Sequence, residues 1–379
     1  MKKLFFILLS VLFLSLPTAS FAIYDPLGIP NNIFGIHILF PQELSEASSL
    51  VNSTGGDWGY VTIPIQANDR NLDKWQKFMD DCRKYHLIPI VRLATTGDYF
   101  VKSSWSVPND NEVLDFANFL NSLNWPTKNR YIVVFNEPNR GDEWGGTPDA
   151  NAYAQILDYA SHIFKQRNQD FFIISAGLDN ASANLQGQSI DDFTFMQEMN
   201  DAVPGIFGEI DGIASHSYPN PGFSNPPSLA QEGVDSFYYQ RQLALSLSGK
   251  YLPVFITETG WSTDAVSDEQ QAIYYKETFQ NYWNDKSIVA VTPFLLDAGP
   301  GPFAQFSFIK TGNKTQIYST YSQLPKVKGE PVLNPVSITA QFLEKKLPTE
   351  KFKNTLNYES VFKTVNKSAI SFFKWILNP

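Results

Sequence analysis

The sequence predicts an α/β protein built as a (β/α)8 barrel, also called a TIM barrel, with a short C-terminal extension. Short apolar, β-rich runs recur at intervals of roughly 25 to 40 residues between positions 33 and 296. Segments with helical periodicity separate these runs. Strand and helix in alternation require parallel strands buried on both faces, and eight such units in about 300 residues are typical of a barrel.

The elements follow one another regularly along the chain. The predicted strands span residues 33–38, 60–65, 88–93, 131–135, 171–176, 210–214, 252–257 and 288–295. The clearest predicted helices span residues 72–85, 111–123, 151–166, 238–247 and 269–283. The alternative is a doubly wound open sheet, which usually carries a glycine-rich phosphate loop after its first strand. The segment Gly35-Ile36-His37-Ile38 is no such loop, so the barrel is favoured.

Composition excludes several classes of protein. The chain has 379 residues, 43% of them hydrophobic, which is typical of a packed globular protein rather than a disordered one. Its formal charge of -9 argues against binding nucleic acid by neutralising phosphates. The single cysteine, Cys82, allows neither an intramolecular disulfide nor a multi-cysteine metal site. The 30 Phe, 17 Tyr and 8 Trp residues supply aromatic rings for stacking on a ligand.

The two ends of the chain differ from the middle. Residues 1–22 have a basic start, an apolar run and small residues before Ala22, which predicts a signal peptide cleaved after Ala22 and a secreted or extracytoplasmic protein. An uncleaved N-terminal anchor is the alternative. Residues 23–325 form the predicted barrel. Residues 326–379 hold nine lysines and four glutamates and form the lysine-rich C-terminal extension.

The extension ends in a stretch, residues 358–377, with apolar residues at helical spacing and lysines among them. This pattern is consistent with a basic amphipathic helix in peripheral contact with a membrane or cell envelope. A segment that packs back on the barrel, or that is disordered, is the alternative.

Two predicted strands end in acidic motifs. The fourth strand is followed by Asn136-Glu137-Pro138 and the seventh by Glu258-Thr259-Gly260-Trp261. The active sites of such barrels lie at the carboxyl ends of the strands. A carboxylate that follows a buried run is costly to desolvate unless it has partners or a task. Strands three units apart in a ring of eight place Glu137 and Glu258 across the mouth of the barrel. Paired carboxylates in a cleft are what glycosidic bond cleavage requires.

These two motifs resemble those of the clan A glycoside hydrolases, (β/α)8 barrels that cleave β-linked glycosides with retention of configuration. The resemblance implies that Glu137 is the general acid and base and Glu258 the nucleophile. It implies that Asn136 binds the sugar hydroxyl beside the reacting carbon. The segment Ser215-His216-Ser217-Tyr218 resembles the His-x-Tyr of the clan, so Tyr218 would hydrogen-bond the nucleophile and His216 would line the cleft. Capping or ion pairing for the glutamates, and ordinary packing for His216 and Tyr218, are the structural alternatives.

Further substrate-binding candidates lie near the strand ends. Arg92 ends the third strand and is a candidate cation for keeping the nucleophile ionised, or else a rim salt bridge. His37 ends the first strand and is a candidate for contact with a sugar hydroxyl, or else packs at the rim. Trp144 and Trp261 lie within a few residues of the two glutamates and are the predicted sugar contacts. The weaker aromatic candidates are Trp58, Tyr99 and Trp105.

The sequence departs from the clan pattern at two strand ends. The second strand ends Ile63-Pro64-Ile65-Gln66, where many members have an arginine. The eighth lacks the tryptophan that often serves as a sugar platform, and the candidate replacements are Phe303, Phe306 and Phe308.

Two other classes of function remain to be compared. A metal-dependent barrel hydrolase needs a histidine cluster, and the chain has four histidines with His37 alone on the first strand. A secreted carbohydrate-binding barrel that has lost catalysis is the stronger alternative, although both glutamates are present. The sequence therefore predicts a retaining glycosidase with no metal and no cofactor. Its predicted partner is a poly- or oligosaccharide, and no nucleic acid.

Overall fold

A computed structural model describes residues 23–97, 105–299 and 301–335. The predicted signal peptide, residues 1–22, lies outside the described residues. So do Tyr99 and the part of the predicted extension from residue 336 onward, which includes the amphipathic stretch.

The structure confirms all eight predicted strands. In chain order they are β1 Gly35–His37, β2 Gly59–Gln66, β3 Leu87–Ala94, β4 Arg130–Val133, β5 Phe171–Ile174, β6 Ile213–His216, β7 Val254–Glu258 and β8 Ile288–Val291. Strands β1 to β5 and β6 to β8 pair in parallel in sequence order. Parallel bridges from Phe34 to Val291 and from Ile174 to Gly212 join these two sets, so the sheet closes into a barrel. Closure excludes the open-sheet alternative.

One α-helix follows each strand in the described part of the chain. They are α1 Leu44–Val51, α2 Leu72–Lys84, α3 Asp110–Ser122, α4 Ala150–Arg167, α5 Asp192–Ala202, α6 Ser236–Ser248, α7 Asp268–Asn281 and α8 Gln316–Gln323. Single 3-10 turns lie at Pro41–Glu43, Ile206–Gly208 and Ala304–Phe306, and a small hairpin is formed by β9 Ile309–Lys310 and β10 Asn313–Lys314. The five predicted helices are confirmed.

Alternation along the strands separates two apolar cores. On β3, Ile88 and Ile90 belong to the cluster inside the barrel, whereas Leu87, Val91 and Leu93 pack in the larger cluster that includes the helices. Side chains along a strand alternate between the two faces. Arg92 therefore continues the inward row of Ile88 and Ile90 and reaches the mouth of the barrel.

The chain stays in contact with the barrel beyond the boundary predicted at residue 325. Lys326 is buried, and its Nζ donates to the carbonyl oxygens of Tyr321 at 2.7 Å and Leu324 at 3.1 Å, at the end of α8. Asn334 follows, with its Nδ2 donating to the carbonyl of Thr127 at 2.6 Å. Residues 326–335 are thus part of the folded unit. Among the described residues, no helix is both long enough and apolar enough to cross a bilayer.

The Lys326 contacts generate a stability prediction. Lys326→Met keeps the apolar stem but removes the Nζ donor from the carbonyls of Leu324 and Tyr321, and Tyr321 retains only the backbone N–H of Leu324, so the change costs about 1–3 kcal/mol. Lys328→Met, at an exposed position two residues away, serves as the control and should change stability by no more than about 0.5 kcal/mol. Urea unfolding of both variants measures the difference. Equal stabilities of the two variants would contradict this role of Lys326.

Candidate active site

A cavity of about 420 Å³ opens at the carboxyl ends of the strands. Its walls come from the segments that follow every strand except β2. Glu137 and Glu258 both line it, so the two acidic motifs meet as predicted. Arg92, Asn136, Tyr218 and Trp144 line the same cavity.

Glu258 is held by two donors from different strands. Arg92 Nη1 donates to its Oε1 at 2.5 Å, and the Tyr218 hydroxyl donates to its Oε2 at 3.0 Å. Burial first, and then the charges of Glu258 and Glu137, hold the pKa of Tyr218 well above its usual range. Tyr218 therefore keeps its proton and acts as a donor, and the two contacts fix both carboxylate oxygens of Glu258.

Glu137 sits on a strained turn at the end of β4. Phe135 and Glu137 have φ angles of 68° and 35°, in the left-handed region that non-glycine residues rarely adopt. The backbone N–H of Glu137 donates to the carbonyl of Gly177 at 3.1 Å. Its carboxylate lies 3.3 Å from Arg140 Nη1 and 2.7 Å from His216 Nδ1. Backbone strain of this kind is typical of functional sites.

His216 lies between the two glutamates. Its Nδ1 is 2.7 Å from Glu137 Oε1 and 3.9 Å from Glu258 Oε2. Burial lowers the pKa of His216, but the charge of Glu258 and the hydrogen bond and charge of Glu137 outweigh burial, so the net pKa is raised. The His216 ring thus bridges the pair, and the two carboxylates favour its protonated form. One potential ligand atom each from Glu137, His216 and Glu258 lies within 4.8 Å of the others, which brings the two carboxylates to that separation.

A glycine makes room for this histidine. A β-carbon on Gly177 would lie 2.2 Å from Cδ2 of His216, so no larger residue fits without moving the ring. His216 is 1% exposed and lies beneath the cavity rather than in its lining, which corrects the expectation that it lines the cleft.

Asn136 connects the two sides of the site. Its Oδ1 accepts from Arg92 Nη1 at 2.5 Å, and its Nδ2 donates to Glu143 Oε2 at 3.2 Å. Glu143 is a third glutamate of the cavity, and the sequence analysis missed it. Burial, followed by the charge of Glu137, raises the pKa of Glu143 to about 7. The available signal was its place beside Trp144 in the polar loop after β4.

His37 ends β1 and lies next to Glu258. Its side chain is fully buried and absent from the cavity lining, with Nε2 3.7 Å from Glu258 Oε1. Burial first, and then the charges of Arg92 and His216, hold the pKa of His37 well below its usual range. The structure therefore places His37 as a neutral ring next to Glu258, which favours the packing alternative, and the contact with a sugar hydroxyl stays a prediction.

Of the two tryptophans predicted to contact sugar, one lines the cavity and the other does not. Trp144 lines the cavity and packs edge-on against Phe135 and Tyr153. Trp261 is 1% exposed, donates from Nε1 to the carbonyl of Asn225 at 2.8 Å, and does not line the cavity. We therefore assign Trp261 to the core and not to sugar binding.

Of the weaker aromatic candidates that the structure describes, Trp105 lies at the cavity and Trp58 does not. Trp105 lines the cavity, whereas Trp58 stacks on His86 just before β2, at the opposite end of the barrel. A wall of phenylalanines on the β6 and β8 side completes the cavity, and it consists of Phe223, Phe294, Phe303 and Phe306. Phe308 is fully buried in the core, so it is no platform.

The catalytic candidates also form a potential metal-ligand set. Within the described residues, Glu137, His216 and Glu258 bring compatible donor atoms together. Arg92 and Arg140 already pair with the two carboxylates, so a divalent cation would meet two guanidinium groups at close range. The arrangement fits an organic substrate better than a metal ion.

Comparison with known proteins supports the fold. No family model matches the chain, and no curated protein matches it. Among solved structures, a family 39 glycoside hydrolase from the gut symbiont Bacteroides cellulosilyticus WH2 is 16% identical, with a TM-score of 0.54, covering 79% of this chain and 64% of that one. The chain thus spans less than two thirds of that protein.

Two further solved structures are similar. A monomeric β-xylosidase from Caulobacter crescentus CB15 is 14% identical, with a TM-score of 0.56, covering 83% of this chain and 71% of that one. An endo-β-1,3-glucanase of family 128, subgroup II, from Sorangium cellulosum is 15% identical, with a TM-score of 0.51. The match covers 78% of this chain and 98% of that one. At these identities the similarity shows the shared (β/α)8 fold.

The bridging position of His216 generates a prediction that needs no substrate. Glu137→Gln removes the negative charge beside Nδ1 and replaces the carboxylate acceptor by a weaker amide oxygen, so the pKa of His216 should fall relative to the unmodified protein. Glu198→Gln, at an exposed position on α5, is the matched control and should leave the titration unchanged. NMR titration of the four histidine rings measures both. An unchanged His216 titration in Glu137→Gln would refute the bridge.

Proposed function

We propose that this protein is a retaining β-glycoside hydrolase that cleaves a poly- or oligosaccharide by a two-step displacement. One observation carries the proposal, namely that Glu137 and Glu258 face each other with carboxylate oxygens within 4.8 Å at the ends of β4 and β7. Retaining enzymes hold their carboxyl groups about 5–5.5 Å apart, whereas inverting enzymes need about 6.5–9.5 Å to admit a water molecule. The spacing supports retention.

In the first step, Glu258 attacks the anomeric carbon while Glu137 donates its proton to the leaving oxygen. The glycosidic C–O bond breaks, the aglycone leaves as an alcohol, and a glycosyl ester forms on Glu258. Arg92 and Tyr218 hold the attacking carboxylate in position. As Glu137 becomes negative, Arg140 and His216 stabilise its new charge.

In the second step, Glu137 acts as the base. Its carboxylate takes a proton from water, and the resulting nucleophile attacks the anomeric carbon and displaces Glu258. The sugar is released with its original configuration, and Glu137 recovers the proton it needs for the next cycle. The same residue serves first as acid and then as base because its neighbour Glu258 is negatively charged in the first step and, as an ester, neutral in the second.

The cavity wall supports a carbohydrate substrate. Trp105 and Trp144 lie on the β3 and β4 side of the glutamates, and the phenylalanine wall lies on the β6 and β8 side. Aromatic faces on both sides provide stacking surfaces for sugar rings on either side of the scissile bond. Among the similar solved structures, one is described as a β-xylosidase and another as an endo-β-1,3-glucanase, which supports a β-linked glycan as substrate.

We further propose that the enzyme acts outside the cytoplasm after cleavage behind Ala22. The basic and apolar pattern of residues 1–22 supports this. The contacts of Tyr24, two residues beyond the cleavage position, add support. Its backbone N–H donates to Asn129 Oδ1 at 3.1 Å, and Asn129 Nδ2 donates to its carbonyl at 2.9 Å. The first residues of the proposed mature chain are therefore held against the barrel.

The mechanism predicts different losses for the two glutamate variants. Glu258→Gln should abolish turnover, with kcat falling at least about a thousandfold, because no ester can form. Glu137→Gln should slow glycosides with poor leaving groups far more than activated aryl glycosides, which depart without a proton. The assay is kcat on β-glucosides, β-mannosides and β-xylosides of both types, with Glu198→Gln as control.

Two results would contradict the proposal. Equal losses on both leaving groups in Glu137→Gln would remove its role as the acid. Saccharide binding without any turnover by the unmodified protein would instead favour the non-catalytic carbohydrate-binding barrel.

A further inference from the structure

Glu143 has no role in the two-step mechanism described above. This residue lines the cavity from the loop after β4, and its side chain is half-buried. Its Oε2 accepts from Asn136 Nδ2 at 3.2 Å. Among the described residues, Oε1 has no hydrogen-bond partner, and no guanidinium or ammonium group forms an ion pair with Glu143. One carboxylate oxygen therefore remains for a ligand.

Glu143 lies close to the reacting sugar. Asn136, its partner, directly precedes Glu137 and shares Arg92 with Glu258. A sugar whose anomeric carbon lies between Glu137 and Glu258 therefore contacts Asn136, and its substituents on that side come within reach of Glu143. An acceptor at this place requires a hydrogen-bond donor from the sugar.

The charges that line the cavity also favour a neutral or cationic sugar over an anionic one. Five carboxylates line it, from Glu137, Asp142, Glu143, Asp179 and Glu258, against the two guanidinium groups of Arg92 and Arg140. Both guanidiniums are already used, since Arg92 pairs with Glu258 and Arg140 with Glu137 and Asp142. A carboxylated sugar would find no uncommitted cation among these lining residues and would be repelled by Glu143.

We propose that Glu143 is a specificity-determining residue that binds a hydroxyl or ammonium donor of the sugar and makes the site reject uronic acids. The inference rests on the proposed function, because it places the sugar between Glu137 and Glu258. The raised pKa of Glu143 agrees with it, since desolvation and the charge of Glu137 outweigh the hydrogen bond from Asn136 and the charges of Arg92 and Arg140. A cationic amino sugar adds a positive charge next to Glu143, so it should bind more tightly than the neutral sugar.

The test compares three tetrasaccharides that share one β-1,4-linked backbone. They are the tetramers of glucosamine, glucose and glucuronic acid. Near pH 7 the first is partly cationic, the second neutral and the third anionic. The measurement is made at that pH, and not below it, because the pKa of Glu143 is raised to about 7 and the carboxylate must stay ionised. Dissociation constants are measured by calorimetry at low salt, in a Glu137→Gln background. This background stops turnover of these oligosaccharides, which have poor leaving groups, while Arg92 stays paired with Glu258 and Arg140 with Asp142. We expect the glucosamine tetramer to bind about a hundredfold more tightly than the glucuronic acid tetramer, with the glucose tetramer between them.

Two variants isolate the charge of Glu143. Glu143→Gln should reduce the ratio between the glucosamine and glucuronic acid tetramers about tenfold, and Glu143→Asp, which keeps the charge, should preserve most of it. Glu198→Gln is the surface control and should leave the ratio unchanged. A ratio is used because partial misfolding lowers both affinities equally and cannot change it.

Each outcome decides the inference. The same ratio in Glu143→Gln as in the parent, tighter binding of the glucuronic acid tetramer, or no binding of any tetramer would overturn it. The proposed function fails separately, because it depends on turnover by the unmodified protein. Glu143-dependent binding without turnover would retain the inference and refute catalysis, whereas turnover with no effect of Glu143 would do the reverse.

Discussion

The repulsion between two buried carboxylates is the constraint on which the site depends. Oxygens of Glu137 and Glu258 lie within 4.8 Å, in a setting where burial alone disfavours their charge. Two guanidinium groups offset it, Arg92 at Glu258 and Arg140 at Glu137, and the imidazole of His216 lies between the two carboxylates. These groups come from the ends of β3, β4 and β6, so the closed ring of strands holds the charges in register.

The same constraint explains features that look unrelated to catalysis. Gly177 is small because His216 occupies the space of its side chain. The turn at Glu137 adopts a left-handed backbone, at a cost of order 1–3 kcal/mol, and its hydrogen bond to Gly177 helps to fix it there. The neutral ring of His37 fills the space behind Glu258 without adding a charge. The strained backbone at Glu137 lowers the stability of the fold, and in return the site keeps a defined geometry at the mouth of the barrel.

The sequence was informative where burial controls the pattern. Buried parallel strands are continuous apolar runs, so all eight could be predicted, and polar residues directly after them identified Glu137, Glu258, Arg92 and Tyr218. Helix α3 was also predictable, since the side chains of Asn109 and Glu112 form a capping box at its start. Helices α1, α5 and α8 were missed. Two of them have only eight residues, too few for a clear period.

The direction of side chains beyond the strand ends could not be predicted. Trp261 is three residues from Glu258, yet it points into the core, while Phe294 and Phe303 form the wall instead. Glu143 enters the site through a loop whose path no periodicity describes. Local spacing therefore fixes which strand end a residue follows, and tertiary packing decides whether it faces the substrate.

The most direct test of the central claim is to trap the ester on Glu258. The mature protein is incubated with 2-deoxy-2-fluoro glycosyl fluorides of glucose, mannose and xylose, and intact mass spectrometry is followed by peptide mapping. The account predicts a single covalent adduct on Glu258 with at least one of these sugars, because the fluorine slows release of the ester more than its formation. Release of fluoride without any adduct, or an adduct on a residue other than Glu258, would contradict it.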